Sequence, residues 1–454
     1  GMVRHYYLRE LPWQGEIQVQ LVHKNERAAT SHELAVQARA ILKPLGDAYG
    51  ASVTVAEMPP GPPVVQAVVA EIYGPDAATR REVATRMTGV FADTDGMADV
   101  DNYMIEPYEA WRFVINSQKA SMKGVTNANI IETLATAMGD YKITDVRTDS
   151  SLEPTWITMR TPLSLRANPQ AMGDLPIGGP FGTTIPLAEL GHWEKIEEDP
   201  IIYHKDLRPL EYVVGDAVGR LGAPIYPMMK IDEALQDYTT PDGQVLSGTM
   251  TGPPPENGLS GFEWAGEWTV TYETFRDMGA AFAVARVLIY MLVVGMFGNF
   301  TVPAIIMAPI PLTLLGIVPG HWVVTAITGT NAYFTATSMI GFIALAGIIV
   351  RNSILLVDFA VEEIRNGKDV REAVLLSCKA RTRPIMITAF ALIGGASVIL
   401  FDPIFQGMAI SLMFGVFVST LLTLLVIPLG CVSAAKSLQE IADARDAAGA
   451  PKAT

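Results

Sequence analysis

The chain has 454 residues, 50% of them hydrophobic, and a formal net charge of −14, so more than one core can be buried and two or three domains are expected. Charge is divided: residues 1–277 hold 22 Lys/Arg against 38 Asp/Glu, whereas residues 278–454 hold 11 against 9. An acidic half joined to a nearly neutral, apolar half speaks against a nucleic-acid partner.

Residues 1–150 read as α/β units. Glu16 to Val22 alternates, with Ile17, Val19 and Leu21 on one face, which predicts a strand. Thr30 or Ser31 can cap a helix carrying Leu34, Ala38, Ile41, Leu42 and Leu45, and Ser52 to Ala56 returns as a strand. After the stiff MPPGPP at 58–63, the pattern predicts a buried strand over 64–73, a helix over 77–91, a strand over 110–115 and a helix over 126–138. Such alternation points to an α+β arrangement of split βαβ, ferredoxin-like units. Residues 151–275 are richer in Gly, Pro and short alternating runs and are expected to be strand-rich, with a helix near 225–235 and a loop over 249–261.

Five segments, about 278–298, 301–320, 334–358, 384–401 and 408–431, approach the roughly 20 apolar residues that cross a bilayer. They predict an all-α membrane bundle of five helices over 276–435, followed by a tail over 436–454. The second segment holds Pro303, Pro309 and Pro311, which such helices tolerate where neighbouring groups satisfy the freed carbonyls. The link over 362–383 carries six Lys/Arg and the links at 299–300, 321–333 and 402–407 carry none. The excess of positive charge assigns that link and the tail to the cytoplasm and residues 1–277 to the outside. The opening GMVRHYYLRELPWQGE has no apolar core of signal-peptide type. An exported domain then needs a membrane helix upstream of it, so the chain is expected to be the second part of something larger.

The third segment carries Arg351, Asn352 and Ser353 near its middle, with Asp358 two turns on, on the face of Arg351. The fourth opens on Arg381 and Arg383 and carries Thr388 seven residues after Arg381. A charge inside a spanning helix costs about 2.5 to 3.5 kcal/mol on insertion scales and marks an ion or substrate path. Plainer readings stand beside this one. Arg351 can snorkel from a helix end, Asp358 can terminate the helix or pair with Arg351, and Thr388 can bond its own backbone. Arg286 reads as a snorkelling residue and Arg383 as a boundary charge. Gly341, Ala344, Gly347, Gly394 and Gly395 are expected to permit close helix packing. Trp264 and Trp268 are expected to fill a core or anchor near an interface. The 20 methionines are scattered, and the adjacent Met228 and Met229 would point apart, which speaks against a soft-metal cluster. No GxxxxGK[ST] loop is present to bind a nucleotide and no Ser/His/Asp constellation emerges, so an enzyme is not expected.

The run GFIALAGIIVRNSILLVDFAVE, followed about twenty residues later by KARTRPIMITAFALIGG, resembles the resistance-nodulation-division (RND) family of inner-membrane efflux pumps. FEWAGEWTVTYETFRDMG and MAPIPLTLLGIVPGHW are similar to that family as well. The resemblance covers nearly the whole chain and implies the carboxy-terminal half of a duplicated pump, with periplasmic porter and docking subdomains and membrane helices eight to twelve. It implies a homotrimer that exchanges protons for exported small molecules, without a cofactor, and that joins a periplasmic adaptor protein and an outer-membrane channel. Arg351 would stand at the place of the family's relay lysine with Asn352 beside it, and Arg381 and Thr388 on the polar positions of the eleventh helix; Asp358 is a further relay candidate. The family's proton-binding acids lie on a fourth helix that this chain does not contain. Since Arg effectively never deprotonates, Arg351 would be a fixed counter-ion to a carboxylate supplied by the missing amino-terminal half. Heavy-metal export, a split-gene subunit without transport of its own and a related secretion helper remain alternatives.

Overall fold

A computed structural model describes residues 14–23, 26–57, 64–105, 107–139, 141–146, 154–219, 222–329, 331–402 and 404–447. The chain divides into two compact units, Gly1–Asn102 with Leu210–Thr454, and Tyr103–Pro209.

The first unit contains a sheet whose core is the strand Val68–Tyr73, buried along its whole length. It pairs antiparallel with Arg208–Ala217 on one side and with Gly261–Gly266 on the other, and Arg208–Ala217 pairs in turn with Met97–Asn102. Counted in chain order as strands one to four, the spatial order is 4-1-3-2. Helices Ala77–Asp93 and Ile225–Leu235 connect one to two and three to four, which is the ferredoxin-like split βαβ arrangement. Met87, Phe91, Met228 and Ile231 from these helices are buried. Trp264 belongs to this core: it stacks on Phe91 at 5.9 Å, meets Phe262 edge-on at 5.2 Å, and donates from Nε1 to Asp232 Oδ1 at 3.0 Å.

Two expected strands do not form. Residues 16–22 join no sheet among the described residues, and Ile17 and Val19 are exposed; alternation makes a strand only where a neighbour completes the ladder. Residues 52–56 lie beside the sheet without joining it. The Val55 carbonyl accepts from Arg39 Nη2 at 2.8 Å, and its N–H donates to Asp99 Oδ2 at 3.3 Å. Side chains thus occupy the groups a ladder would use. The helix Ser31–Tyr49 forms as expected, with a Thr30/Glu33 capping box and Gly50 in the left-handed region. Its Ile41, Leu42 and Leu45 are exposed, and Arg39 fastens it to the sheet through Asp99 Oδ2 at 2.7 Å and Asp216 Oδ2 at 3.8 Å.

The second unit, inserted between the second and third strands, pairs Tyr108–Ile115 with Gly191–Glu198 in antiparallel register. Phe113 and Trp193 face each other across that pair with ring centroids 5.2 Å apart. Ile130, Ile177, Leu187 and Leu190 form its small core, beside the ribbon Tyr141–Val146/Thr155–Met159.

The five apolar helices are longer than their apolar runs: Glu267–Phe297, Thr301–Thr328, Ala336–Arg365, Val370–Ile399 and Gln406–Ser433, hereafter the first to fifth spans. The first grows directly from strand four through Gly266, whose φ of +80° suits glycine, and a Cβ there would lie 2.6 Å from the Gln66 carbonyl. The Glu267 N–H then bonds the Ala67 carbonyl at 3.1 Å. The basic link shrinks to residues 366–369, so Arg371, Lys379, Arg381 and Arg383 lie on the fourth helix itself. In the proline-rich second span, Pro309 offers no N–H to the Ile305 carbonyl and the Ala308 N–H takes it at 3.2 Å.

The fifth span is wedged between the second and third by glycines. A Cβ on Gly341 would come within 2.9 Å of the Met408 carbonyl, one on Gly316 within 2.7 Å of that of Phe414, and one on Gly415 would overlap Leu345. Gly347, Gly394 and Gly395, expected to serve the same purpose, have open space beside them. The residues after the fifth span form a further helix, Ala435–Ala447.

Burial pushes the Asp216 carboxyl above the usual carboxylate range, and Asp99 beside it adds to the rise. A proton held more tightly in the folded chain favours folding at low pH, and that contribution is lost as pH rises through the elevated value. Asp216→Asn should therefore leave melting at pH 4 little changed and raise it near pH 7, which thermal melts of the purified protein across pH would check. Gly415→Leu should lower the melting temperature by several degrees, the overpacked helix seam costing about 1 to 3 kcal/mol.

Candidate functional site

The third span is positioned by a Thr335/Ser338 capping box at its start and by a buried stripe that includes Leu345, Ile349, Leu356 and Ala360. Residues 351 and 352 differ by about 100° around such a helix, and the structure uses that difference to send them to two separate hollows.

Asn352 lines a narrow one, about 10 Å³, between the third, fourth and fifth spans, together with Thr388, Ser419, Thr420 and Thr423. That volume is close to what a single water occupies, and the polar lining is of the kind that holds one. The hydroxyls of Thr388, Ser419 and Thr420 donate to carbonyls of their own helices, Ile385 at 2.9 Å and Val416 at 3.1 and 2.7 Å. Their oxygens keep lone pairs for a further donor.

Arg351 lines the other hollow, about 350 Å³, with Ile289 of the first span and Gly347, Val350, Ile354 and Leu355 of its own. The walls are apolar. Among the described residues no carboxylate lies within ion-pair distance of this guanidinium.

The remaining candidates are dispersed. Asp358 does not pair with Arg351; its Oδ1 accepts from Arg445 Nη1 at 2.8 Å. Arg381 has its guanidinium 5.4 Å from the Phe359 ring centroid, and its buried Nε has no hydrogen-bond partner among the described residues. Arg383 is exposed. Arg286 lies over Phe282, one turn back along the first span, at 5.8 Å, the direction a snorkelling side chain takes. The structure thus brings together Asn352 and Thr388 and separates both from Arg351, Arg381 and Asp358.

Sequence reasoning missed the fifth-span wall, although Ser419, Thr420 and Thr423 recur at the spacing of one helix face. It also passed over His321 in the second span, which is buried; its Nδ1–H donates to the Ala332 carbonyl at 3.0 Å and its Nε2 has no partner among the described residues. No group of three or more His, Cys, Asp or Glu among the described residues could hold a metal ion, and Met228 is buried while Met229 is exposed.

The AcrB/AcrD/AcrF family model matches residues 6–432. The swarming motility protein SwrC of Bacillus subtilis (strain 168) is 22% identical over 364 residues, covering 79% of this chain and 32% of its own length. The toluene efflux pump membrane transporter TtgB of Pseudomonas putida is 24% identical over 290 residues, covering 63% of this chain and 25% of its own. Among solved structures, a heavy metal efflux pump in its crystal form II superposes with a TM-score of 0.58 at 22% identity, over 90% of this chain and 40% of that one. The likeness is one of fold. The chain therefore spans between a quarter and a third of the length of these two curated relatives.

The tight hollow makes a testable distinction between bulk and polarity. Ser419→Leu should destabilise the protein by about 1 to 3 kcal/mol by overpacking, whereas Thr420→Val, which keeps the shape and loses one hydroxyl, should change stability by less than about 1 kcal/mol. Thermal melts in detergent would check this, and equal effects would mean the space is not closed by the fifth span.

Proposed function

This chain belongs to the AcrB/AcrD/AcrF family of RND transporters, and from that premise we propose that it forms the carboxy-terminal part of a proton-driven exporter of hydrophobic or amphiphilic compounds. In this reading its spans lie in a bacterial inner membrane, with the ferredoxin-like unit and the inserted unit on the periplasmic side and the helix Ala435–Ala447 in the cytoplasm. The complete transporter is a homotrimer that works with a periplasmic adaptor and an outer-membrane channel.

The observation that carries the proposal is the setting of Arg351: an exposed arginine within a membrane-length apolar helix, beside an open apolar hollow, with no carboxylate of its own half within ion-pair distance among the described residues. A charge left unpaired within a membrane-spanning helix is costly, so a carboxylate from the amino-terminal half is the natural partner. Because the guanidinium keeps its proton, the carboxylate is the group that titrates, and Arg351 sets its affinity for the proton. When the carboxylate is ionised it is held by Arg351; when protonated it is released, and the third span is free to adopt a second position. The two positions differ in free energy by the proton's differential binding, which the gradient supplies. Asn352, Thr388 and the fifth-span hydroxyls around the water-sized hollow provide a polar passage along which a proton can be relayed.

The test is export of a fluorescent dye by the complete transporter in a pump-deficient host, with and without an imposed proton gradient. Arg351→Met should bring export down to the level of the host while the trimer still assembles. Arg351→Lys should retain part of it with a changed pH dependence, since an amine can lose its proton where a guanidinium cannot. Full proton-coupled export by Arg351→Met would exclude the counter-ion role.

A further inference from the structure

The helix Ala435–Ala447 follows the fifth span and buries Leu438, Ile441 and Ala442, so it is docked and not a free tail. Its last turn carries opposite charges side by side, and each meets its complement on the third span. Arg445 Nη1 donates to Asp358 Oδ1 at 2.8 Å, and its guanidinium lies 5.6 Å from the ring centroid of Phe297, the last residue of the first span. Asp446 Oδ1 accepts from Arg365 Nε at 3.1 Å, while Arg365 Nη1 donates to Glu362 Oε2 at 2.8 Å. The Arg365 side chain is only 3% exposed.

These partners are spaced in a telling way. Arg351, Asp358 and Arg365 recur every seven residues, and two helical turns return to nearly the same side. The three residues therefore lie on one line along the third span. The terminal helix grips two members, Asp358 and Arg365, through a pair of opposite polarity at each, and the third is Arg351, which lines the hollow beside the first span. A single contact would let the span turn about it. Two contacts of reversed sign, two turns apart on one line, fix both its rotation and its height against the terminal helix.

We propose that Arg445 is a positioning residue for Arg351: with Asp446 it clasps the Asp358–Arg365 line and so sets the direction in which Arg351 faces. This rests on the transport reading given above. Asp358 in this scheme is one jaw of a clasp and carries no proton. Among the described residues Asp358 is paired with Arg445 of the terminal helix; Arg381 of the fourth span lies over the neighbouring Phe359, and Glu362, one turn on along its own helix, is paired with Arg365.

Two arms test the proposal in the complete transporter. In the first, Arg445→Ala should lower the maximal rate of proton-coupled dye export about tenfold without moving the dye concentration for half-maximal export, because the soluble units are untouched. Arg445→Lys should restore most of the rate, and so should the reversed pair Asp358→Arg with Arg445→Asp. The second arm needs no transport. Gly347→Cys and Ile289→Cys, placed on the two walls of the Arg351 hollow in a background lacking Cys378 and Cys431, should cross-link readily; adding Arg445→Ala should slow the reaction severalfold, and the reversed pair should recover it. Gly347 has open space for the added side chain. Unchanged cross-linking in Arg445→Ala would overturn the proposal. So would a defect in Asp358→Asn that Arg445→Ala does not share and that charge reversal fails to rescue, because Asp358 would then act by itself. If no variant and no wild-type protein shows gradient-dependent export, the transport reading falls, and the cross-linking arm still decides whether the clasp positions the third span.

Discussion

Every polar group on an apolar helix has to find its partner within the protein, and the arrangement of the five spans follows from how that requirement is met. Where Pro309 removes an N–H, a neighbouring amide takes over the carbonyl. Some seam hydroxyls turn onto backbone: Thr313 to the Ile310 carbonyl at 2.7 Å within the second span, and Ser377 to the Leu356 carbonyl at 2.5 Å across from the fourth span to the third, whereas the buried Ser353 and Ser411 hydroxyls have no partner among the described residues. Where the carboxylate of Asp358 and the guanidinium of Arg365 occur near one end of the third span, the helix Ala435–Ala447 folds back to pair them. Arg351 is a permanent charge for which no carboxylate is at hand among the described residues, and that is what makes it informative.

Hydrophobic contact alone does not order helices against each other in lipid, because a lipid tail is as apolar as leucine; close approach and shape do it. The fifth span supplies both, meeting the second span at Gly316 and Gly320 and the third at Gly341 and Gly415. These approaches fix the third span on the side of the narrow polar hollow, while its Arg351 side abuts open space. One helix thus has a face locked by packing and a face left for something else, a division suited to an element that must move in a defined direction.

Much of this was legible in the sequence. Long apolar runs announced the spans, and alternating apolar segments around the helices Ala77–Asp93 and Ile225–Leu235 announced the α/β sheet. The ends of the spans were not legible, because polar residues such as Glu267 and Arg371 continue a helix as readily as apolar ones once its backbone bonds are running. Glu16 to Val22 had the right alternation and no partner, a tertiary matter that period alone cannot report. At the site, a local motif singled out Arg351, Asn352 and Thr388, but whether adjacent residues share a cavity depends on where neighbouring helices stand. That is why Asn352 found Thr388 and Arg351 did not. Leu438, Ile441 and Ala442 did carry a helical stripe, and Arg445 and Asp446 complementary charges, yet their partners lie more than 80 residues away along the chain.

The junction at Gly266 joins the sheet to the bundle with no slack. Strand four ends, one left-handed residue turns the chain, and the first span begins with its opening amide bonded back to Ala67 at the foot of the central strand. A rod fixed in this manner at its base cannot tilt without applying torque to the sheet that holds it. The joint therefore works as a stiff transmission between membrane and sheet, and a few flexible residues spliced in after Gly266 would act as a clutch, leaving both parts folded but mechanically disengaged.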